Sequence, residues 1–333
     1  MNEVNTLPVT RPLTAADMDQ VVAIDAKIIG RSRPGFFEKR LAAALAEPEY
    51  FIYIACESEG KLRGFLLARL LGGEYGEDRS VAVLDAIGVA PVSQGMGIGN
   101  LMMQEFEKIL RRKKVTEIQT QTDWRRFSFL HFLSGSGFLL APIYVLERGV
   151  SNLDTRSRVD PVATHNTASG EFDYSATGTQ GGENLARDRV PCRSLNSGDL
   201  ETLIRINRKV TGQDQRIFYQ RKLKEVLDES GIRVSLLAEI DGQPAGFIMA
   251  RVDYGEFGRT EPAAVLDTLA VDPAYGRQQA GSALLSQLLS NLTSLRLDTI
   301  RTVVMSNRFD LLNFLMKNGF APAQRLCFSR RVE

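Results

Sequence analysis

Histidine is nearly missing from this chain and cysteine is scarce, with two of the first and three of the second in 333 residues. His131 and His165 cannot build a histidine-rich metal centre, and Cys56, Cys192 and Cys327 have no C-x-x-C spacing, so no metal is expected. Two of the cysteines fall within strand-like runs and read as small buried apolar residues. Neither charge sign is in excess: 41 basic residues stand against 40 acidic ones, which removes the global field that would gather nucleic acid or a membrane surface. No run of about 18 apolar residues occurs, and residues 1–6 lack the basic patch and apolar stretch of a secretory signal. A soluble, cytoplasmic protein without nucleic-acid or membrane partners is expected.

What the chain does have is a duplication. Residues 9–148 lie over 191–330 at one constant offset, 271 − 89 = 182, with no gap. Gly64-Phe65-Leu66-Leu67-Ala68-Arg69 falls on Gly246-Phe247-Ile248-Met249-Ala250-Arg251, Val83-Leu84-Asp85 on Val265-Leu266-Asp267, and Gly137-Phe138 on Gly319-Phe320. Solenoid repeats run to roughly 20–50 residues because each unit buries its face only against neighbours. A period this long means a duplicated domain, and at 44% hydrophobic composition each half can bury its own core. Two domains are expected, 7–149 and 190–333, each a complete fold, joined by a linker at 150–189 rich in Ser, Thr, Asn, Asp and Gly. Duplication also allows the two to pack as an intramolecular pseudo-dimer.

Each half reads as β-α-α-β-β-β-α-β-α-β. Thr14 is placed to cap a helix carrying Met18, Val21, Val22 and Ile24 at helical spacing, and a second helix should run from Gly35 to Ala46. Strand runs follow at 51–55, 64–71 and 80–89. A glycine-rich turn, Gln94-Gly95-Met96-Gly97-Ile98-Gly99, then opens a helix. A strand at 115–120, a helix from about 125 to 134 and a last strand at 144–146 complete the unit.

A glycine-rich turn between strand and helix presents backbone N–H groups to phosphate, aided by the positive end of the helix dipole. This is not the Rossmann fingerprint, because no acidic residue closes a second parallel strand, and Gly-Lys-Ser/Thr of a Walker loop is missing. With the Val89-Ala90-Pro91 lead-in and the amphipathic helix behind it, the turn resembles the Gln/Arg-x-x-Gly-x-Gly/Ala loop of the GNAT superfamily of N-acetyltransferases. Gly137-Phe138 matches that family's usual Gly-Phe. The resemblance spans both halves nearly end to end. It implies an α+β fold, with a mixed α/β sheet: two tandem GNAT-like domains, each a central, mostly antiparallel sheet with splayed central strands flanked by helices. It also implies acetyl-CoA as acyl-donor cosubstrate. Gln94, Gly95, Met96, Gly97, Ile98 and Gly99 would hold the pyrophosphate, while Ile87, Gly88 and Val89 would contact pantetheine and aim a backbone N–H at the thioester carbonyl.

The halves differ at this loop. Gly276-Arg277-Gln278-Gln279-Ala280-Gly281 stands opposite, so side chains there should crowd phosphate or strain the turn. Acyl-CoA is therefore assigned to the N-terminal half, and the C-terminal loop is read as degenerate. The tyrosine that often serves the family as general acid is replaced by Leu133 and Leu315. Asp85, on the central strand, is the first carboxylate candidate for base, against a structural role as an ion-pair partner; Glu74 and Tyr75 in the preceding loop are second candidates. His131 reads as surface and Trp124 as packing. Glu74, Glu77, Asp78 and Asp85 would favour a cationic amine acceptor. The expected activity is direct transfer of acetyl from acetyl-CoA to an amine of a small molecule or protein. The rival is an acyl-CoA-binding sensor or scaffold that has lost catalysis.

Overall fold

The computed structural model describes residues 7–71, 81–150, 189–229, 234–253, 255–259 and 261–332. The predicted linker and the loop holding Glu74, Tyr75, Glu77 and Asp78 lie almost wholly outside them.

The first half runs β1 (Val9–Pro12), α1 (Met18–Ile29), α2 (Pro34–Ala46), β2 (Phe51–Ser58), β3 (Lys61–Leu71), β4 (Val81–Val89), α3 (Ile98–Arg112), β5 (Glu117–Asp123), α4 (Phe127–Gly135), β6 (Leu139–Leu140) and β7 (Ile143–Gly149). The second half runs β8 (Cys192–Ser194), α5 (Leu200–Thr211), α6 (Arg216–Lys224), β9 (Leu236–Ile240), β10 (Gln243–Asp253), β11 (Ala263–Val271), α7 (Ala280–Ser294), β12 (Thr299–Met305), α8 (Phe309–Lys317), β13 (Ala321–Pro322) and β14 (Arg325–Arg331). From β3 onward the elements match end for end at the sequence offset. The short β6 and β13 were not expected.

Local chemistry accounts for the starts and stops. The Asp17 carboxylate accepts the backbone N–H and the hydroxyl of Thr14 at 2.8 Å each and a fork of two Arg11 donors, which fixes the lead into α1. Asp199, Asn196 and Arg193 repeat this at the second half. In α3 the buried residues Ile98, Met102, Phe106 and Leu110 recur every fourth position, one apolar stripe laid on the sheet. With Leu66, Ala68, Leu84 and Ile118 they form the core on one face. Phe36, Phe37, Phe65 and Leu67 form the core beneath α1 and α2 on the other.

Each sheet has seven strands, ordered β1-β2-β3-β4-β5-β14-β6 and β13-β7-β12-β11-β10-β9-β8. Every pairing is antiparallel except β4 with β5 and β11 with β12. The expectation that each half is a complete fold needs one amendment, because the last long strands are exchanged. β14, from the end of the chain, pairs with β5 from Arg325↔Asp123 to Arg331↔Glu117. β7 pairs with β12 from Thr299↔Gly149 to Met305↔Ile143. A ladder is made of backbone groups, so equivalent strands of a duplicated chain can serve either sheet, as in a domain swap between protomers.

Candidate active site

One extra residue opens the split between β4 and β5. Leu67 pairs with Ala86 and Ala68 with Leu84, which leaves Asp85 over as a bulge, and a bulge bends and twists its strand. The parallel pairing with β5 ends at Val83↔Gln119. At the mouth of the split the Thr120 hydroxyl donates to the Leu84 carbonyl at 2.9 Å. Ile87, Gly88 and Val89 follow along the diverging edge, still paired to β3.

Beyond Val89 the chain turns through Pro91–Ser93 into the exposed loop Gln94, Gly95, Met96 and Gly97. The Gln94 side chain donates to the Val89 carbonyl at 3.2 Å. Gly95 and Gly97 both sit at φ 79°, a left-handed conformation that other residues adopt at a cost. A Cβ at either would meet nothing within 4 Å, so backbone conformation demands glycine here and crowding by the protein does not. The first turn of α3 begins at buried Ile98 with no acidic residue, and its leading N–H groups have no intrahelical acceptor. At Gly99 the constraint is different: a Cβ would stand 2.9 Å from the Phe132 ring, so glycine lets α4 approach α3.

The second half keeps this architecture without the glycines. Asp267 is the left-over bulge residue, and Thr302 donates to the Leu266 carbonyl at 3.0 Å. Arg277 and Gln279 hold φ 63° and 65°, a left-handed turn that costs on the order of 1–2 kcal/mol for each residue with a side chain. A cleft of about 940 Å³ runs along this loop, lined by Ala270, Val271, Arg277, Gln279, Arg308 and Phe314 among others.

Asp85 is buried, 3.1 Å from Arg69 and 3.4 Å from Arg40. Burial pushes its carboxyl above the usual range, against the pull of both guanidinium groups. Glu256, from the second half, joins the same cluster. It pairs with Arg40, with Arg69 at 3.0 Å and with Arg251 at 2.9 Å. At the equivalent position of the second half Asp267 meets Arg251 at 3.3 Å and Lys222 at 3.1 Å. The bulge carboxylates of both halves are thus tied into one buried ion-pair lattice between them. Sequence reading missed this lattice, although its signal was present: Arg40 corresponds to Lys222, Arg69 to Arg251, Asp85 to Asp267 and Glu74 to Glu256.

Also missed was the segment 255–259 of the second half, which is wedged into the first. The Arg33 guanidinium donates to the Gly255 carbonyl while its other donors hold Asp25 at 2.7 and 2.8 Å. Gly258 lies against Ile29 and Arg126, and the Arg259 guanidinium donates to the Gln121 side chain at 3.4 Å. A recess of about 30 Å³ lies there, lined by Asp25, Arg33, Asp85, Thr120, Gln121 and Arg126 among others. The second half therefore packs over the mouth of the split between β4 and β5.

Glu74 and Tyr75 lie outside the described residues. Leu133 and Leu315 are fully buried, so the position that often carries the family's acid is closed apolar packing in both halves. His131 is exposed. Trp124 is 47% exposed, so only part of it packs. Cys56 and Cys327 are buried and Cys192 half-buried, all three as free thiols; burial pushes the Cys192 and Cys327 thiols up to about 11. Among the described residues no group of three or more His, Cys, Asp or Glu could hold a metal ion, and no helix is long and apolar enough to cross a membrane.

A family model described as "Acetyltransferase (GNAT) family" matches residues 22–129 and again 200–320. The chain belongs to the GNAT family of acetyltransferases, in a tandem arrangement. No curated protein matches it. Solved structures share its fold. A tandem GNAT protein from the clavulanic acid biosynthesis pathway is 14% identical, with TM-score 0.60 over 98% of this chain and 99% of that one. A GCN5-related N-acetyltransferase from Sphaerobacter thermophilus is 13% identical, with TM-score 0.58 over 98% and 96%. A glucosamine N-acetyltransferase region of a fungal multi-domain β-N-acetylglucosaminidase is 13% identical, with TM-score 0.65 over 98% of this chain and 38% of that one.

Proposed function

We propose that the chain transfers an acetyl group from acetyl-CoA to an amine, that the N-terminal half, 7–149, holds the donor, and that the C-terminal half, 190–333, completes the acceptor side. Gly95 and Gly97 carry this reading: both stand at φ 79° with open space before them, where Arg277 and Gln279 occupy the second loop. The exposed loop, the unpaired amides of α3 and the split between β4 and β5 fit the pyrophosphate and pantetheine of acetyl-CoA, which supplies the activated acyl group. Gln94 to Gly99 would hold the pyrophosphate by backbone N–H groups. Ile87, Gly88 and Val89 would line the pantetheine and direct an N–H to the carbonyl oxygen, stabilising the charge that develops there. Three unpaired thiols fit a reducing compartment such as the cytoplasm.

For Asp85 the favoured role is positional. Its carboxylate is held by Arg40 and Arg69, and Asp267 repeats the arrangement beside a loop without the glycines, so it fixes the bulge and the contact between the halves. Proton removal from the amine then falls to solvent or to the loop carrying Glu74 and Tyr75. The rival reading, an acyl-CoA sensor, draws on the burial of Leu133, which leaves no side-chain acid where the family often has one.

Calorimetric titration of acetyl-CoA into the full chain and into Gly97→Gln tests the assignment. One site, weakened at least about tenfold by the substitution, is expected. Undiminished binding would transfer the donor to the C-terminal cleft beside Arg277. Binding without thiol release across a panel of amines would favour the sensor.

A further inference from the structure

Next to the recess at Asp85, and sharing Ile28, Ile29, Arg126, Phe257 and Gly258 with it, is a larger cavity of about 600 Å³. Five arginines line it: Arg125 and Arg126 from the turn after β5, Arg259 from the wedged loop, Arg301 from β12 and Arg325 from the exchanged β14. Three carboxylates are present, Asp123, Glu147 and Glu261. Asp123 is taken by Arg125, through a fork of 2.9 and 3.0 Å, and Glu147 reaches only to 3.8 Å from Arg301. Arg325 donates to the Phe257 and Gln121 carbonyls at 3.0 and 3.3 Å, and neither acceptor carries a charge. Among the described residues Arg301 Nε and Nη1 and Arg325 Nε are buried without an acceptor, although buried donors are nearly always paired. Behind the lining, buried Asp253 acts on Arg259 and Arg301, Glu256 on Arg259 and Asp25 on Arg126, while the lining itself carries five guanidinium groups against three carboxylates.

We propose that this cavity binds an anionic group, a carboxylate or a phosphate, on the amine acceptor, so that the substrate is a small anionic amine with its nitrogen toward the split of β4 and β5. This rests on the reading that acyl transfer occurs in the N-terminal half. Guanidinium groups are suited to such a group because their planar fork meets carboxylate and phosphate oxygens two at a time. Burial, together with repulsion from neighbouring arginines, lowers Arg259 to about 9 and Arg325 to about 10, a strain that a bound anion relieves. Arg259 and Arg325 both donate to Gln121, the residue after Thr120, so the anion would sit near the mouth of the split. Four of the five arginines are not duplicated: Arg125, Arg259, Arg301 and Arg325 correspond to Asn307, Glu77, Gln119 and Ile143, and only Arg126 has a counterpart, Arg308. The cluster therefore belongs to the first half's acceptor side alone.

The test has a turnover arm and a binding arm. With acetyl-CoA as donor, kcat and KM are measured for alanine against alaninamide and for glucosamine 6-phosphate against glucosamine. The anionic member of at least one pair should be favoured by roughly 10–100-fold in kcat/KM, carried in KM, and which pair shows it separates carboxylate from phosphate. Arg259→Gln and Arg301→Gln should erase the preference while leaving acetyl-CoA affinity unchanged. Arg301 is the safer variant for folding, its one salt bridge among the described residues being the long contact to Glu147. Equal use of the neutral amines, or a preference that survives both substitutions, would overturn the proposal. In the binding arm, inorganic phosphate and succinate are titrated into the full chain and both variants by calorimetry. Heat present in the parent and lost in the variants upholds the anion site even if no amine is acetylated, an outcome that would sink only the acyltransferase reading. No difference between parent and variants would sink the anion site.

Discussion

Phe328→Ala is expected to loosen the first half of the chain, although the residue lies near the end of the second. Phe328 is 8% exposed and packs with Ile118, Leu133 and Phe138 in the core under α3, because β14 is paired to β5. Truncating a buried phenylalanine costs about 3–5 kcal/mol through lost burial and the cavity left behind. Hydrogen exchange should show protection falling in β5 and α3 while β12 and α7 stay closed. The mirror variant, Leu146→Ala, should open β12 and α7 at about 2–5 kcal/mol, since Leu146 is 1% exposed within the second core. Were the last strands paired within their own halves, each substitution would loosen the half it is written in, and that pattern would sink the strand exchange. Because acetyl-CoA is assigned to the first half, Phe328→Ala should also weaken its binding more than Leu146→Ala does.

Most of this architecture is legible in the sequence, because it lies in periodicity and in turn chemistry. The stripe at Ile98, Met102, Phe106 and Leu110, and the glycines at 95 and 97, belong to local rules that a single stretch of chain obeys. The offset between the halves then checked each assignment against a second copy. The destination of β7 was not legible. Val145-Leu146 and Cys327-Phe328 present the same inward pattern, so both sheets accept either strand, and the choice depends on how the halves pack. The site followed the same division. Its glycine loop could be read from residues next to one another in sequence, whereas Arg40, Arg69 and Glu256 come from three distant elements and acquire meaning only when the halves meet. The arginines around Gln121 were hidden for the same reason, being contributed by the turn after β5, the wedged loop, β12 and the exchanged strand.

The lattice between the halves makes the second large prediction, on Glu256. This carboxylate is 4% exposed and faces three guanidinium groups, Arg40, Arg69 and Arg251, with Asp85, Asp267, Glu225 and Asp253 as nearby acids acting on the same arginines or on its backbone. Glu256→Gln keeps the shape and removes the charge, leaving buried arginines underpaired, which typically costs about 3–5 kcal/mol. A urea series at pH 7 should show that loss as a lower unfolding midpoint. The same pair of proteins then gives the pH dependence with its sign. Burial works to raise the Glu256 pKa, and Arg251, Arg69 and Arg40 overcome it, holding the group well below the ordinary glutamate value in the folded chain. A depressed carboxylate stabilises the fold fully above its unfolded pKa of about 4.3, and that contribution is lost as pH falls toward the folded value. The gap in stability between the parent and Glu256→Gln should therefore be constant from pH 7 to about pH 5 and should shrink below about 4.3. A gap that stays the same down to pH 3 would mean that the glutamate contributes by packing rather than by charge, and the lattice would then not be what binds the halves together.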